Sequence, residues 1–267
     1  MSSGNLDMQA DIYEHFRPEE RPFADRASEW VTNAGEYHEV KRSDFLDPRQ
    51  CYILETLANR HPDVQIRFDG GYEDAERRRA LIAPDYRDLS QEPMGLKVLS
   101  IASGDQKFIS LQHGDYLGAI LGLGLKRDKI GDIHVREDGC HVVVAEEIAP
   151  FLNLNLHQVH RVGVITDILE PSELKTAEKE LAPMDLTVAS LRLDGIVSDV
   201  FHLSRSKVLI PIKAGRCRVN WRTEEDPSKP LKAGDIVALQ GFGRFKVLET
   251  EGLTKKGRHR IKIGKFV

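Results

Sequence analysis

The sequence predicts an α+β protein with several domains. Three observations lead to this prediction: a length of 267 residues, a mixed order of helical and strand patterns, and a reversal of charge near residue 184. The hydrophobic content of 40% suits folded domains, and a chain of this length commonly holds about two. We expect a mixed helix–strand domain at 1–95, an α+β domain at 96–170, a linker at 170–183, and a third domain at 184–267 that ends in a hairpin extension.

The first 95 residues alternate between helical and strand patterns. Helices are expected over residues 25–31 and from Pro48, which can start a helix because its φ angle is already set. Strands are expected over 64–68 and 80–83, where β-branched and apolar residues follow turn signals. The run between these strands, 73–79, reads as a charged helix whose arginines are solvated.

The next region has the order strand, helix, strand, strand, helix, strand. That order is typical of a ferredoxin-like or RRM-like α+β domain. An RRM stacks bases on sheet aromatics, and these strands offer almost none apart from Phe108, so base stacking on this sheet is not expected. The six segments are 96–102 with a continuation at 108–111, then 113–123, 132–135, 141–144, 146–156 and 162–166.

The charge distribution separates the C-terminal region from the rest of the chain. Residues 184–267 hold 17 Lys+Arg and 9 Asp+Glu, a net charge of +8. The remaining 183 residues hold 21 Lys+Arg and 33 Asp+Glu, a net charge of −12. This asymmetry predicts a C-terminal domain that binds a polyanion and an acidic region that does not.

Helix signals open the basic region. Apolar residues recur at the helical spacing from Leu193 to Val200. Ser204 is placed to cap a second helix, which must end near Gly215, where a left-handed residue fits. Residues 216–220 then alternate as a strand, with two buried positions on one face and two arginines on the other.

Cations on these elements predict a surface for RNA phosphates, because guanidinium groups on rigid elements match phosphate geometry. Arg192 has an alternative, an ion pair with Asp194 or Asp199, and Asn220 has an alternative role in a turn. The predicted RNA contacts are Arg192, Ser204, Arg205, Ser206, Lys207, Lys213, Arg216, Arg218, Asn220, Arg222 and Lys232. Secondary contacts are expected at Lys126, Arg127 and Lys129 and at Lys255, Lys256 and Arg258.

Ordered motifs carry a resemblance to the S4 domain, a small RNA-binding module. They are R-L-D at 192–194, S-R-S-K at 204–207, A-G-R-C-R-V-N at 214–220 and L-K-A-G-D-I-V at 231–237. The resemblance implies an RNA-binding C-terminal domain. Trp221 departs from the pattern, since many S4 domains have glycine there, and it predicts a wider hairpin.

Further motifs resemble the bacterial YlmH family over nearly the whole chain. The resemblance implies that this chain is an S4-domain RNA-binding protein, that it associates with the large ribosomal subunit, and that rRNA and tRNA are its partners. It also implies a link to rescue of subunits obstructed by peptidyl-tRNA, and a gene often found among cell-division genes. The motifs are F-R-P-E-E-R-P-F at 16–23, D-F-L-D-P-R-Q at 44–50, G-G-Y at 70–72, L-G-A-I-L-G-L-G at 117–124 and G-D-I at 131–133.

Other function classes are weaker. An RNA-modifying enzyme of the pseudouridine synthase or methyltransferase type needs a catalytic pocket, and the N-terminal part of the sequence has no G-x-G-x-x-G fingerprint, metal cluster or nucleophile–base pair. We therefore expect no catalytic residue, no cofactor and no metal. A cell-division scaffold that acts through the acidic domains, which could also hold a protein partner, is a third hypothesis.

The remaining composition predicts a cytoplasmic protein that acts as a monomer. The sequence contains no stretch of 18 apolar residues, so no membrane span is expected. The first residues lack the pattern of a secretion signal. Three cysteines at distant positions fit neither a disulfide framework nor a zinc site. Buried free thiols are expected instead.

Overall fold

The computed structural model describes residues 16–102, 111–177, 181–255 and 257–266. The chain forms two compact units, whose boundary falls between residues 177 and 178. The regions 1–95 and 96–170 therefore lie within one unit. Both units combine helices with antiparallel sheets, which confirms the α+β fold class. Of the helices in these ranges, none is both long and apolar enough to cross a membrane.

Unit 1 begins with two helices and a three-stranded sheet. Helix α1 (Arg21–Glu36) has a proline in its first turn, and helix α2 (Pro48–Ala58) starts on one. Asp47 caps α2, because its carboxylate accepts the backbone N–H of Gln50 at 2.9 Å. The strand order is β1 (Lys41–Arg42), β3 (Arg79–Pro84), β2 (Val64–Asp69).

Strand β3 is buried along its whole length because it has a core on each face. Side chains alternate between the two faces of a strand. Ala80 and Ile82 pack with the residues of α1 and α2, whereas Leu81 and Ala83 pack with the next sheet along the chain. One strand thus joins the two sheets of unit 1.

The second sheet of unit 1 has the ferredoxin-like arrangement. Its strand order is β5-β6-β4-β9, and all neighbouring strands are antiparallel. This is the split β-α-β-β-α-β topology; the continuation expected at 108–110 lies outside the described residues. The elements are β4 (Leu96–Ala102), α3 (His113–Gly122), β5 (Ile130–Arg136), β6 (Gly139–Ala145), α4 (Ala149–Asn155), the short hairpin β7 (Gln158–Val159) and β8 (Val162–Gly163), and β9 (Ile165–Leu169).

The centre of this sheet is covered on both faces. All seven residues of β6 are buried. The ring of Phe45 lies against Gly131, where an added Cβ would be 2.7 Å from the ring. Gly71 likewise lies over Val143, with its Cβ position 3.5 Å from that side chain. The N-terminal segment therefore occupies the sheet face on which an RRM would stack bases.

Asp132 on β5 joins the N-terminal segment to the central sheet. Its carboxylate accepts hydrogen bonds from the Tyr72 hydroxyl at 2.7 Å and from the backbone N–H groups of Glu76 at 2.7 Å and Arg77 at 3.2 Å. The Arg77 side chain adds a bond to the carbonyl of Ile130 at 3.2 Å. One acceptor thus fixes three donors from a segment without regular structure.

The arginines at 77–79 do not form the solvated helix face that the sequence predicts. Residues 73–77 form turns and bends without a helix, Arg78 forms an isolated β-bridge with Leu46, and Arg79 lies in β3, where it is 4% exposed. The Arg79 guanidinium donates to the carbonyls of Ser43 at 2.8 Å and Gly95 at 2.7 Å. These acceptors compensate the burial of its charge.

Unit 2 is a six-stranded antiparallel sheet with two helices. The strand order is β10-β15-β14-β13-β11-β12. One core joins both helices to one face of the sheet, and Val197, Val208 and Phe245 are fully buried in it. The elements are β10 (Leu181–Val188), α5 (Leu193–Phe201), α6 (Arg205–Lys213), β11 (Cys217–Val219), β12 (Arg222–Thr223), β13 (Ile236–Leu239), β14 (Gly243–Leu253) and β15 (His259–Phe266).

The segment 170–183 is not a linker throughout, because β10 begins at Leu181 and thus before residue 184. Strand β10 pairs with β15, from Leu181 opposite Phe266 to Val188 opposite His259. It is an edge strand, where a proline such as Pro183 is tolerated. The first and last strands of unit 2 are therefore neighbours.

A two-residue turn joins β11 to β12, and the wider hairpin expected from Trp221 is wrong. Asn220 and Trp221 have φ angles of 51° and 63°, as in the type I′ turn of tight hairpins. The Asn220 side chain donates to Asp235 Oδ1 at 2.9 Å and accepts the backbone N–H of Ile236 at 2.9 Å. Asn220 therefore has the turn role that the sequence left open.

The three cysteines are buried free thiols, as expected. Burial raises the pKa of Cys51 to about 11 and that of Cys217 to about 12. Burial also raises the pKa of Cys140. All three thiols are therefore protonated at neutral pH and poorly nucleophilic.

Replacing Asp132 with alanine tests the shared acceptor. We expect the free energy of unfolding to fall by about 3 kcal/mol, because each buried donor left without an acceptor costs about 1–3 kcal/mol. Tyr72→Phe removes one donor and is the matched control, with an expected cost of about 1 kcal/mol. Urea denaturation followed by circular dichroism measures both. A loss in Asp132→Ala no larger than that of the control would contradict the role of Asp132.

Candidate nucleic-acid interface

The helix pair of unit 2 presents basic and hydroxyl groups at the start of α6. The Ser204 hydroxyl accepts the backbone N–H of Lys207 at 3.4 Å, which confirms the predicted N-cap. Gly215 follows the helix end with a φ angle of 68°, as expected. Arg205, Ser206 and Lys207 form the exposed first turn of α6.

The cations of this first turn are available to an external anion. The side chains of Arg205 and Lys207 make no hydrogen bond or ion pair with another residue in the described part of the chain. The first N–H groups of a helix have no acceptor within the helix, and the helix N-terminus favours negative charge. Fork-shaped and ammonium donors beside such N–H groups suit a phosphate.

Arg192 is held by Asp194, one of the alternatives that the sequence left open. Its Nε and Nη2 donate to the two carboxylate oxygens of Asp194, each at 3.1 Å. Asp194 is 6% exposed and also accepts the backbone N–H of Gly195 at 2.8 Å. The hydrogen bonds from Arg192 hold the pKa of Asp194 below its ordinary value. Asp194 is therefore ionised at neutral pH.

Arg205 lies close to the same carboxylate. Its Nη2 is 3.6 Å from the position that a Cβ of Gly195 would take, and its charge contributes to the low pKa of Asp194. Two guanidinium groups thus surround one carboxylate, which leaves a net positive charge. We call Arg192, Asp194, Arg205 and Lys207 the helix-side cluster.

The strand arginine Arg218 points to the other face of the sheet. Its neighbours Cys217 and Val219 are 0% and 6% exposed and belong to the core beneath the helices. Successive strand residues point to opposite faces, so the exposed Arg218 faces away from α5 and α6. The single surface expected from the sequence is therefore divided between two faces. The other predicted cations, Lys213, Arg216, Arg222 and Lys232, are exposed.

The basic loop after α3 is largely engaged within unit 1. Arg127 donates to the carbonyls of Ile130 and Gly131, the latter at 3.2 Å. Burial lowers the pKa of Arg127 to about 10. Lys129 forms ion pairs with Asp44 at 2.5 Å and Glu147 at 3.2 Å, while Lys126 is exposed.

The hairpin between β14 and β15 carries the other predicted secondary contacts. Arg258 donates to the carbonyl of Thr187 at 2.6 Å, which ties the hairpin to β10. Lys255 is exposed, and Lys256 lies outside the described residues. The tip therefore offers cations, although Arg258 also has a contact within the protein.

Two cations that sequence reasoning did not select lie on the same face as Arg218. Ala238 on β13 stands opposite both Arg218 and Arg244, and directly opposite residues share a face. Lys246 follows two residues after Arg244 and stands opposite Ile236. The signal was the alternation of residues 244–247, in which Phe245 and Val247 are the buried members.

These features define a class of protein, a multidomain α+β protein in which a ferredoxin-like domain is followed by a helix–sheet module with exposed cations on two faces. Among the described residues, no group of three or more His, Cys, Asp or Glu is arranged to hold a metal ion. The chain belongs to the YlmH family. Residues 19–87 match the family model described as "YlmH, N-terminal", and residues 90–173 match the one described as "Putative RNA-binding domain in YlmH".

Individual relatives agree with this assignment. Over 252 residues the chain is 38% identical to "Ribosome-associated protein quality control protein P2" of Bacillus subtilis (strain 168), which covers 94% of this chain and 97% of that protein. It is also similar to the solved structure of "Cell division protein ylmH from Streptococcus pneumoniae", with a TM-score of 0.51 and 26% identity. That likeness covers 60% of this chain and 96% of the other. The YlmH resemblance of the sequence motifs is thereby confirmed.

The Arg192–Asp194 pair should make stability depend on pH. The folded-state pKa of Asp194 is lowered, so its contribution is complete above the unfolded value of about 3.9 and is lost as the pH falls through the folded value. We expect Asp194→Asn to lower the melting temperature by a constant amount above about pH 5 and by progressively less below it. Asp199→Asn, on the exposed side of the same helix, is the control. A difference from wild type that does not vary from pH 7 to pH 2 would contradict the pairing.

Proposed function

We propose that this protein is a non-enzymatic RNA-binding factor that acts on the large ribosomal subunit in ribosome-associated quality control. Unit 2 binds folded rRNA and the adjoining tRNA, and this binding contributes to the rescue of subunits obstructed by peptidyl-tRNA. The observation that carries the proposal is the exposed first turn of α6, where the side chains of Arg205 and Lys207 stand at the N-terminus of the helix.

The family comparisons support an RNA-binding role on the ribosome. The family model that residues 90–173 match is described as "Putative RNA-binding domain in YlmH", and the relative from Bacillus subtilis is named for ribosome-associated quality control. We assign the protein to the cytoplasm on the same basis. The acidic unit 1 would position unit 2 or meet a protein partner, and the chain would act as a monomer.

We assign residues 184–267 to an S4 domain. The ordered motifs that suggested it fall at element boundaries in the fold. R-L-D starts α5, S-R-S-K caps and starts α6, and A-G-R-C-R-V-N ends α6 and forms β11. The L-K-A-G-D-I-V motif leads into β13.

Recognition would depend on the shape and charge of the RNA backbone rather than on base identity. Arg205 can donate two parallel bonds to one phosphate, and Lys207 adds a point charge. Such phosphate contacts fix the position of the protein on folded RNA and carry no direct sequence information. Affinity should fall steeply with salt, because each neutralised phosphate releases counterions.

Asp194 is assigned a structural role. The same R-L-D motif resembles that of pseudouridine synthases, in which the aspartate is catalytic. Here the Asp194 carboxylate accepts two bonds from Arg192 and one from the backbone N–H of Gly195. Its oxygens therefore hold the start of α5 in place, and we propose no catalytic residue.

The double variant Arg205→Ala, Lys207→Ala tests the proposed function. It should abolish co-sedimentation with purified large ribosomal subunits, because two phosphate contacts are lost, and leave the melting temperature nearly unchanged. The matched control is Arg87→Ala, Lys97→Ala, which removes two cations of unit 1 that already pair with carboxylates. Co-sedimentation of the folded double variant at wild-type levels would refute the proposed surface.

A role in cell division is the second candidate, and the name of the streptococcal relative favours it. In that case the acidic surface of unit 1 would bind a protein. Association with division proteins should then survive digestion by ribonuclease in a pull-down. Loss of every associated protein after digestion would leave RNA binding as the only supported role.

A further inference from the structure

The sheet of unit 2 has one face that its helices do not cover. The core side chains of β13, β14 and β15 point toward α5 and α6. Among them, Val237, Phe245 and Ile263 are fully buried. The residues between them point to the opposite face. We call that opposite side the open face.

One row of side chains crosses the open face in register. Arg218 stands opposite Ala238, and Ala238 stands opposite Arg244. The Arg244 Cζ lies 4.2 Å from the centre of the Phe266 ring. The row ends on β10 at Leu181, which stands opposite Phe266 of β15.

The second row adds a cation to a half-buried apolar floor. Lys246 stands between Ile236 and Gly264, and the side chain of Leu181 lies over Gly264, 3.0 Å from its Cβ position. The side chain of Lys246 has no hydrogen bond or ion pair with another residue that the structure describes. This half of the open face is therefore positive and partly apolar.

The other half of the open face is neutralised by internal ion pairs. Lys262 on β15 lies 3.4 Å from Glu249 and 3.2 Å from Glu251 on β14. Positive charge without an internal counterion is thus concentrated around Arg218 and Lys246, beside Arg244, whose guanidinium lies over the ring of Phe266.

We propose that the open face is a second RNA-binding surface and that it takes single-stranded RNA. Arg218 and Lys246 would bind phosphates, while a base would stack on the Arg244–Phe266 pair. This inference rests on the proposed RNA-binding function and adds a second class of RNA element to it. The helix-side cluster would hold folded RNA, and the open face an unpaired segment.

The side chains favour an unpaired strand over a duplex or a protein. A duplex offers phosphates but hides its base faces, so the aromatic ring and the apolar floor would gain nothing from it. Single strands expose bases that stack on aromatic rings and on guanidinium planes, whatever the base. An acidic protein would satisfy the cations but would leave the Arg244–Phe266 pair without a stacking partner.

The test uses the full-length chain and a fluorescein-labelled oligouridylate of 12 nucleotides in fluorescence anisotropy. The sheet-face variant Arg244→Gln, Lys246→Gln should bind it at least tenfold more weakly than wild type. Its log–log salt slope should become shallower by about 0.7 for each lost phosphate contact. Arg87→Gln, Lys97→Gln carries the same charge change on two cations of unit 1 that already pair with carboxylates and should bind like wild type, and Lys246→Gln alone guards against a folding defect.

The outcomes separate this inference from the proposed function. The helix-side variant Arg205→Ala, Lys207→Ala should no longer co-sediment with large ribosomal subunits, yet it should keep most of its affinity for oligouridylate. Equal oligouridylate affinity in wild type, sheet-face variant and control, or no binding by wild type, would overturn the open-face proposal. An acidic peptide that displaces the oligonucleotide and binds more tightly would also overturn it, in favour of a protein partner. Large-subunit binding by the helix-side variant would instead refute the proposed function.

Discussion

The packing of two helices against one face of the unit 2 sheet determines where its cations lie. The helices contribute Leu193, Val208 and their neighbours to a core that the strands complete from the same side. Because strand residues alternate, every arginine or lysine between two core positions is turned to the opposite face. Burial of apolar side chains thus creates two charged surfaces, one at the helix termini and one on the sheet.

In unit 1, by contrast, ion pairs and shared hydrogen-bond acceptors engage several cations within the protein. Strand β3 has a core on each face, and the arginines around it donate to backbone carbonyls. Cations that look available in the sequence are therefore structural, as Arg79 and Lys129 show.

Local signals in the sequence predicted local structure well. The cap at Ser204, the left-handed Gly215 and the β-α-β-β-α-β order depend on residues close in the chain. Three predictions failed where residues distant in the sequence determine the local structure. Strand β10 forms because β15 offers it a partner, residues 73–78 follow the carboxylate of Asp132, and the turn at Trp221 is tight because Asn220 binds Asp235 and Ile236. The candidate site was predicted residue by residue, but its division between two faces required the sheet register.

Photo-crosslinking of the full-length chain to purified large ribosomal subunits tests the central claim, that unit 2 holds RNA backbone on surfaces set by its core. Cross-linked peptides would be identified by mass spectrometry. We predict that they contain residues 205–207 from the helix side and 244–246 from the open face. Cross-links confined to residues 90–173, with none in unit 2, would contradict this account.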